Sequence, residues 1–171
     1  MKERWINYAE ENELEEMQKI YQEMKSEGLQ QEVKSWKDSR GDTALSLATW
    51  KGHLDICLWL VNENLMDVNS KDENGENALH IAAMTNRPEI ANLLLEEGSI
   101  DVNGQTNKGR TALHIAAFDN SNEDSTIEVV RILLKYKPQL LKDVNNETAL
   151  DGAIEMENEE IIQLLKTHYD V

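Results

Sequence analysis

The sequence of 171 residues contains a single cysteine, Cys57, and only two prolines, Pro88 and Pro138. One cysteine excludes an intramolecular disulfide and a metal site built from several cysteines. No run approaches the roughly 18 apolar residues that a membrane helix needs. The first residues, "MKERWINYAEENELEE", lack the apolar stretch of a signal peptide. We therefore expect a cytoplasmic protein without a membrane-spanning segment.

Basic residues are also scarce. Lys and Arg together number 17 against 33 Asp and Glu, which gives a formal net charge of -16 at pH 7. Binding to nucleic acid depends on Lys and Arg contacts to phosphates, and anionic membranes attract the same residues. We expect neither nucleic acid nor membrane as a partner. A basic protein would be attracted, although an acidic surface also serves solubility.

Motifs that carry catalysis are missing as well. The sequence has no G-x-S-x-G, no P-loop and no dinucleotide-binding fingerprint. No two of the four histidines have H-x-x-x-H spacing, and Cys57 lies in the apolar run "LDICLWLV", which is typical of a buried, inert thiol. We expect no enzyme, no cofactor and no metal. The alternative is an enzyme whose site is assembled from scattered histidines and carboxylates.

What the sequence does have is an internal repeat. Four similar segments, "GDTALSLAT", "GENALHIAA", "GRTALHIAA" and "NETALDGAI", begin at Gly41, Gly75, Gly109 and Asn146, at intervals of 34, 34 and 37 residues. Residues 77–103, "NALHIAAMTNRPEIANLLLEEGSIDVN", read as two short amphipathic helices followed by an extended "DVN". Helices this short are marginal in water, so each unit needs neighbours to cover it. This period and order resemble the ankyrin repeat, whose signature is T-P-L-H-x-A.

The resemblance implies an all-α solenoid of about five stacked helix–turn–helix units with short β-hairpin-like tips. We predict one domain over residues 1–171. Residues 1–37 would form a degenerate N-terminal capping repeat and linker, residues 38–71, 72–105 and 106–142 three full repeats, and residues 143–171 a C-terminal capping repeat. The longer third interval is explained by residues 121–126, "SNEDST", which we predict as an extended loop between two helices.

Several motif positions have a direct physical reading. Gly75 suits a tight turn with positive φ, and Thr43, Asn77, Thr111 and Thr148 stand where helix N-caps are expected. His80 and His114 occupy the histidine position of the motif. The resemblance implies that they form hydrogen bonds that tie adjacent turns together.

The resemblance also implies where partners bind, because ankyrin repeats usually contact them with the hairpin tips and the exposed ends of the first helices, on the concave side. The residue after the small pair of each motif is Trp50, Met84 and Phe118 in three successive units. Large apolar residues in register predict a contact ladder; the alternative is that they pack between repeats as core. The predicted tip residues are Arg40, Asp42, Asn74, Glu76, Lys108 and Arg110.

We therefore interpret the chain as a monomeric, non-catalytic module that binds a protein partner. An acidic rim around an apolar middle suggests that this partner is basic. Two settings fit equally well: an immunity-type inhibitor that covers a cationic toxin, and a chaperone or adaptor for a basic protein. A secreted pathogen effector that binds a host protein is an alternative.

Overall fold

The computed structural model describes residues 1–119 and 124–171. Within those ranges it contains ten α-helices and one short 3-10 helix, and no β-strand. The helices are α1 Lys2–Glu11, α2 Leu14–Glu27, the 3-10 helix Glu32–Ser35, α3 Ala44–Lys51, α4 Leu54–Asn62, α5 Ala78–Met84, α6 Pro88–Glu96, α7 Ala112–Ala117, α8 Asp124–Lys135, α9 Ala149–Glu155 and α10 Glu159–Tyr169.

Consecutive helices pair, and the pairs stack. The first helices form an inner row in which α1 packs on α3, α3 on α5, α5 on α7 and α7 on α9. In the outer row, α4 packs on α6, α6 on α8 and α8 on α10. This arrangement confirms the predicted all-α solenoid.

The inner helices begin where the sequence predicts. Thr43, Asn77, Thr111 and Thr148 each form a capping box, in which the side chain accepts from a backbone N–H of the first turn. At α6 the start is fixed differently, because Pro88 lies in its first turn, where a missing N–H costs no helical bond.

The core lies between the two rows. Ala48, Ala82, Ala116 and Ala153 are completely buried, and their small size lets neighbouring inner helices approach closely. The outer helices cover them with branched apolar side chains, of which each fully buried one contributes about 1.5–3 kcal/mol. The outer-helix residues that the repeat pattern assigns to this role are all buried: Ile56, Leu60, Ile90, Leu94, Val130, Leu134, Ile161 and Leu165.

The N-terminal pair of helices is joined to the stack by aromatic side chains. Trp5 is fully buried, and its ring centroid lies 6.5 Å from that of Tyr21, 6.2 Å from Trp36 and 5.7 Å from Trp59. Trp36 comes from residues 29–37, which the repeat pattern treats as a linker, and Val33 in the same segment is also fully buried. This segment therefore takes part in the core. The exact unit boundaries stay a prediction.

The predicted loop over residues 121–126 is only partly open to comparison. Residues 121–123 lie outside the described ranges, and Asp124, Ser125 and Thr126 form the first turn of α8. The loop prediction is therefore wrong for 124–126. Asp124 complements the positive end of the helix dipole. Thr126 is buried, and its hydroxyl donates to Asp119 Oδ2 at 3.0 Å.

None of the helices in the described ranges is both long and apolar enough to cross a membrane.

Candidate protein-binding groove

The tips between units are turns closed by hydrogen bonds from backbone N–H groups to the side chain of an aspartate or, in one tip, of Thr106. Asp72 Oδ1 accepts from the backbone N–H groups of Asn74 and Glu76, at 2.9 and 2.8 Å. Across the same turn, the Asp72 N–H donates to the Glu76 carbonyl at 2.9 Å. Asp38 and Asp143 close their tips in the same way, and Gly75 adopts φ 79°. The predicted hairpin-like tips are therefore confirmed.

Each tip also bonds to the next one. The N–H of Glu73 donates to the Arg40 carbonyl at 3.2 Å, and the N–H of Asn107 donates to the Asn74 carbonyl at 2.9 Å. A further bond of 3.0 Å joins Val144 N–H to the Lys108 carbonyl. The tips therefore form one continuous edge that fixes the spacing of the side chains they carry.

The two motif histidines bind neighbouring units together. His80 Nε2 donates to the carbonyls of Gly104 and Arg110, at 2.9 and 3.2 Å, while its Nδ1 accepts from Asn77 N–H at 3.2 Å. His114 Nε2 donates to the Glu147 carbonyl at 3.1 Å. Burial lowers the pKa of His80 to about 4 and also lowers the pKa of His114. Both are therefore neutral structural ties, as predicted.

The concave side between tips and inner helices holds two adjoining cavities, of about 560 and 370 Å³. They share Asn74, Glu76 and Met84, so together they form one groove. Trp50 lines the first cavity and Phe118 the second. All nine predicted contact residues line this groove: Arg40, Asp42, Trp50, Asn74, Glu76, Met84, Lys108, Arg110 and Phe118.

The comparisons with known families agree with this geometry. A family model described as ankyrin repeats in three copies matches residues 63–125 and 99–171, and the model of a single ankyrin repeat matches residues 40–73. The chain belongs to the ankyrin-repeat family. Ankyrin repeats are generally protein–protein interaction modules, and proteins built from them are typically non-catalytic. No curated protein matches the chain.

The three apolar side chains of the ankyrin groove differ in exposure. Trp50 is 50% exposed and Met84 is 39% exposed, whereas Phe118 is less exposed than either. The Phe118 ring lies directly on Gly152, where an added Cβ would meet a ring carbon at 2.4 Å. Preceding units have Leu47, Ile81 and Ile115 at the position of Gly152, and these side chains line the groove instead. Gly152 is therefore the sequence feature that indicates that the Phe118 ring packs against the following unit.

Charge is distributed unevenly along the groove. Around Trp50 the lining has five carboxylates and two cations, Arg40 and Lys51. Both cations are already paired, Arg40 with Asp42 at 3.3 Å and Lys51 with Glu10 at 3.2 Å. Around Phe118 the lining has two cations, Lys108 and Arg110, against one carboxylate. The groove is therefore acidic at the Trp50 end and close to neutral at the Phe118 end, because Arg110 there is paired with Asp143 at 3.3 Å.

The acidic end holds carboxylates close enough to affect one another. Burial raises the pKa of Glu76, and the neighbouring charges of Asp72 and Asp42 raise it further. Burial also raises the pKa of Asp42, against a hydrogen bond from Ser46. A cation that enters this end would relieve the repulsion between these carboxylates.

The single cysteine of the chain does not line the groove. Cys57 is fully buried, and burial raises the pKa of its thiol to about 12. Across residues 1–119 and 124–171, no three His, Cys, Asp or Glu side chains form a group that could hold a metal ion.

Proposed function

We propose that this ankyrin-repeat chain binds a basic region of a protein partner through the groove between Trp50 and Phe118. One observation carries the proposal: two large apolar side chains, Trp50 and Met84, stand exposed in register on the surface that the tips enclose. Exposed aromatic and Met side chains are over-represented at the centres of protein interfaces.

The acidic lining supports a basic partner. Asp72, Glu73 and Glu76 line the Trp50 cavity without a cationic partner among the described side chains, and the whole chain has a net charge of -16. A monomer is sufficient for this function, because one chain builds the entire groove. An inhibitor, a chaperone and an adaptor would all use such a surface, and so would an effector that acts on a host protein.

Affinity capture with matched variants tests the proposal. The wild type, the double variant Trp50→Ala/Met84→Ala and the control Leu58→Ala would each be immobilised and exposed to lysate of the source organism. Leu58 is 37% exposed on the outer helix α4, so its truncation removes apolar surface away from the groove. The dissociation constant of each retained protein would then be measured by calorimetry.

We expect a basic protein that binds the wild type and Leu58→Ala alike and binds the double variant at least about 30-fold more weakly, since a central anchor is commonly worth about 2 kcal/mol or more. Partners that bind all three proteins equally would show that the groove is not the binding surface.

A further inference from the structure

One of the arginines that line the groove, Arg110, already stacks on an aromatic side chain. Arg110 lies over the Phe118 ring, with its guanidinium carbon 4.8 Å from the ring centroid. Its Nε donates to Asp143 Oδ2 at 3.3 Å. The aromatic ring belongs to the same unit as the arginine, and the aspartate closes the next tip. An aromatic face and a tip aspartate of the following unit thus hold one guanidinium between them.

In the tip aspartates, the two carboxylate oxygens have different hydrogen-bond partners. In Asp143 and Asp38, Oδ1 closes the turn, while Oδ2 accepts from an arginine Nε, at 3.3 Å in both cases. In Asp72, Oδ1 closes the turn in the same way, but the contact of Oδ2 is with the Asn74 side-chain amide at 3.4 Å. Among the described residues, Asp72 is therefore the tip aspartate whose Oδ2 accepts from no guanidinium.

The Trp50 unit repeats this arrangement with two changes, the first being Ile81 at the place of Gly152, which leaves the Trp50 indole exposed. Trp50 stands 68 residues before Phe118, and Asp72 closes the tip that follows, as Asp143 does for Phe118. The position of Arg110, however, is Asp42 here. The Trp50 cavity therefore has the aromatic face, the tip aspartate and a second carboxylate, and none of the described side chains places a cation over the indole.

We propose that the Trp50 cavity binds an arginine side chain of the partner, which stacks on the Trp50 indole and donates to Asp72 Oδ2. This inference rests on the proposed function, since it names the chemistry of what enters the same groove. Arginine fits better than lysine, because its planar guanidinium stacks on an aromatic face while its N–H groups remain free for carboxylates. Glu76 is a further acceptor within the cavity, whereas Asp42 adds negative charge but is already paired with Arg40.

A titration followed by NMR tests the inference without a partner. The probes are N-acetyl-arginine amide, N-acetyl-lysine amide and N-acetyl-citrulline amide, the last being the neutral analogue of arginine with nearly the same shape. The readout is the indole N–H resonance of Trp50, assigned by comparison with Trp50→Phe. The proteins are the wild type, Asp72→Asn and the control Asp67→Asn.

Asp72→Asn leaves the tip closed, because its side-chain oxygen still accepts from the backbone, as Thr106 Oγ1 does in the next tip. Asp67 is a matched control. Its Oδ1 also accepts from a backbone N–H two residues on, at 3.0 Å, and it lines a different cavity. Both variants lose one negative charge.

We expect arginine amide to shift the Trp50 resonance saturably, lysine amide to bind more weakly, and citrulline amide to produce at most a small shift. Asp72→Asn should weaken arginine binding roughly three- to tenfold, while Asp67→Asn leaves it within about twofold. Equal shifts from arginine and citrulline, an effect of Asp72→Asn no larger than that of Asp67→Asn, or no shift at all would each overturn the inference. None of these results bears on whether a protein partner needs Trp50 and Met84, which the capture experiment decides separately.

Discussion

At the scale of single residues, Trp50 and Phe118 show how one repeat position acquires two roles. Both follow the small pair of their motif, yet Trp50 is half exposed, while Phe118 is held between Gly152 and Arg110. The difference arises in the next unit. Ile81 stands at this position in the unit after Trp50, whereas Gly152 leaves room for the Phe118 ring to lie against its backbone.

Alanine substitution should separate these roles. Trp50→Ala should lower the free energy of unfolding by about 1 kcal/mol or less, because half of the side chain is already exposed to solvent. Phe118→Ala should cost about 1–3 kcal/mol, below the full cost of a core Phe, because the ring is only half-buried. Urea unfolding followed by circular dichroism would measure both.

Met84→Ala is the internal control for this pair, because its side chain is exposed at 39% and should behave like Trp50. An equal loss of stability for Trp50→Ala and Phe118→Ala would contradict the distinction that Gly152 creates. In that case both aromatic side chains would belong to the core.

The sequence predicted which apolar residues line the groove better than it predicted how exposed each of them is. The 34-residue spacing identified Trp50, Met84 and Phe118 as equivalent, and all three line the groove. Spacing describes one unit at a time, however, whereas exposure depends on the side chain that the following unit supplies. That Phe118 is half-buried could have been inferred only by aligning Gly152 with Ile81 and Ile115.

At the scale of the elements, the units hold together through hydrogen bonds that no single helix could satisfy. His80 belongs to α5, yet its Nε2 donates to carbonyls that precede α7. These bonds require a neutral imidazole whose Nδ1 accepts from a backbone N–H. Protonation of Nδ1 would break the bond from the Asn77 backbone N–H and place a charge in a buried site, although the Asn77 side-chain oxygen, 2.6 Å away, would accept the new N–H.

The pH dependence of stability should reflect this requirement. The pKa of His80 is about 4 in the folded chain, against 6.5 for a free histidine, so the unfolded state takes up a proton first as the pH falls. The stability that neutral His80 contributes to the folded state is therefore fully present above pH 6.5 and is lost between pH 6.5 and about 4. The loss should be of the order of 3 kcal/mol for this group.

His80→Gln provides the test, since glutamine can donate to the same carbonyls but does not titrate. Unfolding free energies of the variant and the wild type would be measured by urea titration from pH 7 to pH 4.5. The variant should be less stable at pH 7 by about 1–2 kcal/mol, and its stability should fall less steeply with acidity. Parallel pH profiles would mean that His80 does not carry this dependence.

Helix starts were the most predictable elements, because a cap is a local signal. Thr43, Asn77, Thr111 and Thr148 all cap their helices as predicted. The start of α8 was less predictable, since Thr126 is drawn into the helix by burial and by its bond to Asp119, a contact that the local sequence does not reveal. The aromatic cluster around Trp5 was missed for the same reason, because its members come from four separate segments.

At the scale of the whole molecule, two electric fields act on an approaching partner, one long-range and one confined to the groove. The net charge of -16 surrounds the entire chain, whereas the carboxylates around Trp50 act within one concave surface. Clefts lined by one sign of charge focus the field, and so they raise the association rate more than the same charges on an open face. The two contributions can be separated because carboxylates also lie outside the groove, among them Glu15 on α2 and Glu63 directly after α4.

Association kinetics should reveal both fields once a basic partner has been captured. Raising the salt from about 0.01 to 0.15 M shortens the Debye length from about 30 to 8 Å, and the association rate constant should fall by about tenfold or more, with little change in the dissociation rate constant.

Stopped-flow measurements would compare the wild type with Asp72→Asn/Glu76→Gln and with the control Glu15→Gln/Glu63→Gln, which removes the same charge outside the groove. At low salt the groove pair should slow association severalfold, and the control pair by less than about twofold. Equal effects of the two pairs would assign the steering to net charge alone, and an association rate indifferent to salt would mean that the acidic surface serves solubility.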